Sequence, residues 1–98
     1  MIKVNKNKEI TEINEQEAEE RKALLDAFGK RMKTLRHSKG KKFSQEKLSE
    51  ISGLHRNYIS DVERGTRNVS LVAMLKIIES LDISMADFFA EGFDNENK

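Results

Sequence analysis

The sequence predicts an all-α fold of five helices, and three observations carry that prediction. No segment keeps a period-two alternation of apolar and polar residues, so no sheet is expected. Apolar residues instead recur at spacings of three and four. Small polar residues stand where these stretches begin and glycines stand near several of their ends, with no proline anywhere in the chain.

The first helix is expected from residue 15 to about residue 38. Asn14 and Glu17 form a capping box at its start. Leu25, Phe28, Met32 and Leu35 then make one apolar stripe. Residues 15–20 add almost nothing to that stripe, so the helix should project past the globule as an N-terminal extension. Residues 1–13 are rich in Lys, Asn and Glu and read as a disordered or frayed arm.

Gly40, Lys41 and Lys42 end this helix and form a basic connector. Ser44 caps a second helix over residues 45–52, expected to bury Leu48 and Ile51. Gly53 supplies a tight turn, and Leu54 plugs the core after it. A third helix follows over residues 56–64 and stops at Gly65. Ser70 caps a fourth helix to about residue 81, with Leu71, Met74, Leu75, Ile78 and Leu81 on its stripe. Ser84 and Asp87 open a last short helix to about residue 89. The expected organisation is an acidic arm over residues 1–20, a helical domain over 21–90 and a polar tail over 91–98.

Composition narrows the function. Ninety-eight residues with 37% apolar and 36% charged side chains suit one small domain. The absence of cysteine excludes a disulfide scaffold, a cysteine zinc site and a thiol nucleophile. No apolar run approaches a membrane span, and the polar N-terminus does not fit a signal peptide. A cytoplasmic protein with no membrane partner is expected. His37 and His55 make no metal pair, and Glu19 and Glu20 lie on a polar helix with no apolar pocket around them. No catalytic motif and no cofactor-binding motif is present, so no enzyme and no cofactor are expected.

The net charge of +1 hides a segregated distribution. Residues 1–20 carry net −3, residues 21–70 net +8 and residues 71–98 net −4. A positively charged working surface in the middle of the chain would produce this, as would clustering on solvated helices.

The third helix divides into two faces at about 100° per residue. Arg56, Asn57, Ser60, Asp61 and Arg64 fall on one side, and Tyr58, Ile59 and Val62 on the other. Arginine can bind guanine, and asparagine adenine, through paired hydrogen bonds in the major groove. Aspartate can accept from cytosine but is unfavourable beside phosphates unless paired. The same division would suit an ordinary amphipathic surface helix.

Several motifs at fixed spacing resemble the Cro/cI-type (XRE) helix-turn-helix family. They are Gln45-Glu46-Lys47-Leu48, Ser52-Gly53-Leu54, Tyr58-Ile59-Ser60-Asp61-Val62-Glu63-Arg64-Gly65 and Arg67-Asn68-Val69-Ser70-Leu71. With Phe28-Gly29-Lys30-Arg31 and residues 83–89, the likeness spans residues 28–89. Within the family the chain is most similar to the controller proteins of restriction–modification systems. The resemblance implies a lambda-repressor-like domain of five helices that binds double-stranded DNA as a homodimer. It implies base reading by Arg56, Asn57, Ser60 and Asp61. It places Gln45, Tyr58, Arg67 and Asn68 at the DNA backbone, and Arg36 with Glu63 as a buried structural pair.

His55, Arg64, Lys41 and Lys42 are further candidates for phosphate contact. Val72, Ile77, Met85, Phe88, Phe89 and Phe93 lie away from the main stripe or crowd a short segment, and are expected to build the dimer interface. A single wrapped core is the alternative use for them. Two features depart from the family. Four residues separate Gly40 from Gln45, more than many members have, and the acidic arm is unusual for a minimal controller. The competing reading is an antitoxin or other interaction module whose acidic arm wraps a protein partner.

Overall fold

The computed structural model describes residues 14–93. The rest of the acidic arm, residues 1–13, and the end of the tail, residues 94–98, lie outside the described residues.

The described residues form five helices and no strand. Helix α1 runs Glu15–Ser38, α2 Gln45–Ser52, α3 Arg56–Glu63, α4 Leu71–Ser80 and α5 Met85–Phe88. Four of the five starts have the cap expected of them. Asn14 Oδ1 accepts from the Glu17 N–H at 2.8 Å, and Ser44 Oγ from that of Lys47 at 3.0 Å. Ser70 Oγ and Ser84 Oγ accept from Ala73 and Asp87, each at 3.0 Å. Every cap satisfies a donor that the first turn would otherwise leave orphaned. Gly53, at φ +80°, carries the chain from α2 into α3 through a conformation that disfavours a side chain.

Helix α3 packs between α1 and α2, α2 also packs on α4, and α4 on α5. The buried centre comprises Phe28 and Met32 of α1, Leu48 of α2, Ile59 and Val62 of α3, Ile77 and Ile78 of α4, and then Leu81 and Phe88. The α1–α3 crossing is close because residue 29 is glycine. A Cβ there would collide with the backbone carbonyl oxygens of Val62 and Glu63.

Arg31 closes the far end of the domain. Its Nε donates to the Phe88 carbonyl at 2.7 Å and its Nη2 to that of Asp87 at 2.8 Å. The guanidinium also lies over the Phe88 ring, 5.9 Å from its centroid. A cation thus satisfies carbonyls at the C-terminus of α5, where they carry partial negative charge. The chain beyond is held as well, with Glu91 paired to Arg31 at 3.4 Å and Phe93 packed against the core.

Four sequence expectations need correction. Ile51 is 50% exposed, because the covered face of α2 runs through Gln45, Leu48, Ser49 and Ser52 and leaves Ile51 at its edge. Leu71 is 67% exposed in the first turn of α4, outside the stripe assigned to it. Ile77 and Phe88, expected at a dimer interface, are fully buried in the core. Helix α4 is covered by both α2 and α5, so its buried arc is wider than one stripe and takes in Ile77. Phe88 packs against Phe28 with ring centroids 5.0 Å apart and the rings tilted by 45°.

Gly29→Ala should destabilise the protein by about 1–3 kcal/mol, because the crossing must open to admit the methyl group. Urea unfolding followed by circular dichroism measures this. An unchanged midpoint would show that the crossing has slack.

Candidate nucleic-acid interface

The interface is built around a buried ion pair. Arg36 of α1 donates through Nε to Glu63 Oε2 at 2.7 Å and through Nη2 to Oε1 at 3.2 Å. The Glu63 side chain is 2% exposed. Arg36 Nη1 also donates to the Phe43 carbonyl at 3.0 Å, and Gln45 Nε2 to Glu63 Oε1 at 2.9 Å. Four segments therefore meet at two side chains: α1, the connector, the start of α2 and the end of α3. The pair predicted from the family pattern is present. The Gln45 side chain directs one of its two amide N–H groups onto the pair, which leaves the second available to another acceptor.

Helix α3 presents the polar face expected of it. Arg56 and Asn57, in its first turn, are exposed, and among the described residues no other group holds either side chain. His55 caps the helix by accepting from the Asn57 N–H at Nδ1, 3.1 Å away. An accepting Nδ1 places the proton of the neutral ring on Nε2, which remains a donor.

The other two predicted readers are engaged. Ser60 Oγ accepts from Arg64 Nη1 at 2.9 Å. Asp61 Oδ1 accepts from Arg64 Nη2 at 2.6 Å, and its Oδ2 lies 3.5 Å from Arg67 Nε. Arg67 in turn lies over the half-buried Tyr58 ring, 5.0 Å from its centroid, and Tyr58 Oη is 3.5 Å from the Asn68 carbonyl. The sequence reading missed this linkage, although the spacings of three and four between Asp61, Ser60 and Arg64 are the signal for it.

The flanks are basic. Lys41 and Lys42 are exposed in the connector, next to the α2 N-terminus. An open cavity of about 600 Å³ lies between α3 and the start of α4, lined by His55, Tyr58, Asn68 and Ser70 among others. A second, apolar groove of about 410 Å³ lies beside α1, between Leu24, Leu25, Met74, Phe89 and Phe93. Among the described residues no cluster of three or more His, Asp or Glu could hold a metal ion, and no helix is long and apolar enough to cross a membrane.

Two short helices joined at a left-handed glycine, the second exposing a polar face with an arginine and an asparagine in its first turn, define a helix-turn-helix protein. The comparison with known proteins agrees: the chain belongs to the helix-turn-helix family, whose model matches residues 39–88. It is 50% identical over 60 residues to the control protein C.BamHI of Bacillus amyloliquefaciens, spanning 61% of this chain and 73% of that one. It is 46% identical over 54 residues to the control protein C.SmaI of Serratia marcescens, spanning 54% and 64% of the two chains. Its fold is similar to the crystal structure of the restriction–modification controller protein C.AhdI from Aeromonas hydrophila. That match has a TM-score of 0.63 and 51% identity, and covers 68% of this chain and 98% of the other.

Glu63→Ala would strand the Arg36 guanidinium without its partner and should cost about 3–5 kcal/mol. Replacing both residues, Arg36→Met with Glu63→Leu, should recover most of that loss. Denaturant unfolding of the three proteins distinguishes a pair needed for its charge balance from one that only fills space. Equal stability of the single variant and the native protein would rule out the first.

Proposed function

We propose that this protein is a DNA-binding transcriptional regulator of restriction–modification genes, not an enzyme, and that it works as a dimer on a pseudo-palindromic site. The observation that carries the reading is the exposed Arg56–Asn57 pair in the first turn of α3. The half-identity to proteins named as controllers supports it. Arg56 has the paired donors that recognise guanine in the major groove, and Asn57 the donor and acceptor that recognise adenine. Arg67, Arg64, His55 and the Lys41–Lys42 connector are cations or donors suited to the phosphates on either side.

Two-fold assembly accounts for the apolar surface that the fold leaves open. Val72 of α4, with Met85 and Phe89 around α5, is exposed, and Phe93 is half-buried beside them. These four are what remains of the six residues expected at the interface, since Ile77 and Phe88 lie in the core. Two copies joined there would set a pair of α3 helices against one side of a duplex, where half-sites recur at about 34 Å.

Arg56→Ala should weaken binding to the preferred site by about 1–3 kcal/mol and relax the choice of base at one position in each half-site. Arg67→Ala should weaken binding to all sequences more evenly and lower the slope of log affinity against log salt by about one unit. Selection from a random DNA pool, followed by salt titration, measures both. A uniform loss for Arg56→Ala would make it a phosphate contact instead.

Val72→Asp combined with Met85→Asp should yield a folded monomer with reduced operator affinity. Analytical ultracentrifugation and circular dichroism check this together. A dimer that survives both charges would place the interface elsewhere.

A further inference from the structure

We propose that Asp61 does not read a base but is a positioning residue that holds Arg64 and Arg67 as a two-pronged clamp for the DNA backbone. The inference rests on the DNA-binding reading above and assigns the roles within that face differently from the family pattern. Both carboxylate oxygens face an arginine. Oδ1 accepts from Arg64 at 2.6 Å, and Oδ2 faces the Arg67 Nε at 3.5 Å. A cytosine amino group approaching Asp61 would have to compete with two guanidinium groups already in place.

Each arginine is also fixed from a second side. Arg64 donates to Ser60 at 2.9 Å, and Arg67 lies over the Tyr58 ring. The resulting chain runs from Ser60 through Arg64, Asp61 and Arg67 to Tyr58, and links α3 to the loop before α4. Electrostatics favours the same assignment. A lone carboxylate on a face that meets phosphates would be repelled, whereas one acid between two arginines leaves the trio net positive. Arg56 and Asn57 then carry the base choice by themselves. The ion pairs are half-exposed, so they add little to folding, and their effect lies in where the two cations are held.

The test is pool selection and salt titration of the native chain, Asp61→Asn and Asp61→Ala, with Arg64→Ala made in the native and Asp61→Ala backgrounds. Asp61→Asn should keep the preferred sequence, while its specific-to-nonspecific affinity ratio falls roughly tenfold, the scale of one charge-assisted contact. Arg64→Ala should cost less affinity in the Asp61→Ala background than in the native one, as coupled residues do. The melting temperature of the DNA-free protein should stay within about two degrees of native.

A changed base preference at one position per half-site would make Asp61 a reader and overturn the proposal. So would an unchanged ratio with additive losses, or a fall in melting temperature that accounts for the loss. If the native chain selects no sequence at all, the DNA-binding reading fails first and this assignment with it. That result is visible before any variant is examined.

Discussion

The Arg36–Glu63 pair is the constraint around which the rest of the domain is arranged. Two charges have been taken out of water, at a desolvation cost of several kcal/mol each, and only a complete set of partners offsets that. The partners come from the Phe43 carbonyl and the Gln45 amide. Satisfying this one pair therefore sets where α1 ends, how the connector turns, where α2 begins and how α3 lies across α1. Gly29 permits the same crossing seven residues earlier on α1 by leaving room for the α3 carbonyls. The two features act together: one draws the helices to a fixed register, and the other lets them approach closely enough to keep it.

That register has a functional consequence. Helix α3 has only eight residues, too few to be stable alone, so its orientation is inherited from α1 and α2. Its apolar side, Ile59 and Val62, is buried, and its polar side is thereby turned outward. The outward side then divides again. Its first turn offers two side chains that no other group holds among the described residues, and its second turn is tied into the Ser60–Asp61–Arg64–Arg67 linkage. A surface of one composition thus carries two mechanical characters, adaptable at the N-terminus and held in place towards the C-terminus.

Much of this was legible from the residues in order. Cap residues and glycines are local signals, because a side-chain oxygen three residues from an orphan N–H satisfies it whatever the tertiary fold. Hence the starts at Asn14, Ser44, Ser70 and Ser84 were all readable in advance. The polar face of α3 was readable for the same reason, since helical period alone sets it. The Arg36–Glu63 pair joins residues 27 apart, so no local rule could reach it, and only the family pattern indicated it.

The misplaced residues have a common cause. Ile51, Leu71, Ile77 and Phe88 are apolar residues on real helices, and period shows which side of a helix they share but not how many neighbours cover that side. Burial is decided by those neighbours. Helix α4 is covered from two directions, so Ile77 is core, while Leu71 extends past the end of the contact. The same limit hid the engagement of Asp61. The sequence by itself determined the five helices, their caps, the turn at Gly53 and the identity of the exposed chemistry, because each depends on contacts within a few residues. Only the tertiary structure decided which apolar residues are core, which polar residues stay free and where the two arginines are held, because those depend on distant parts of the chain meeting.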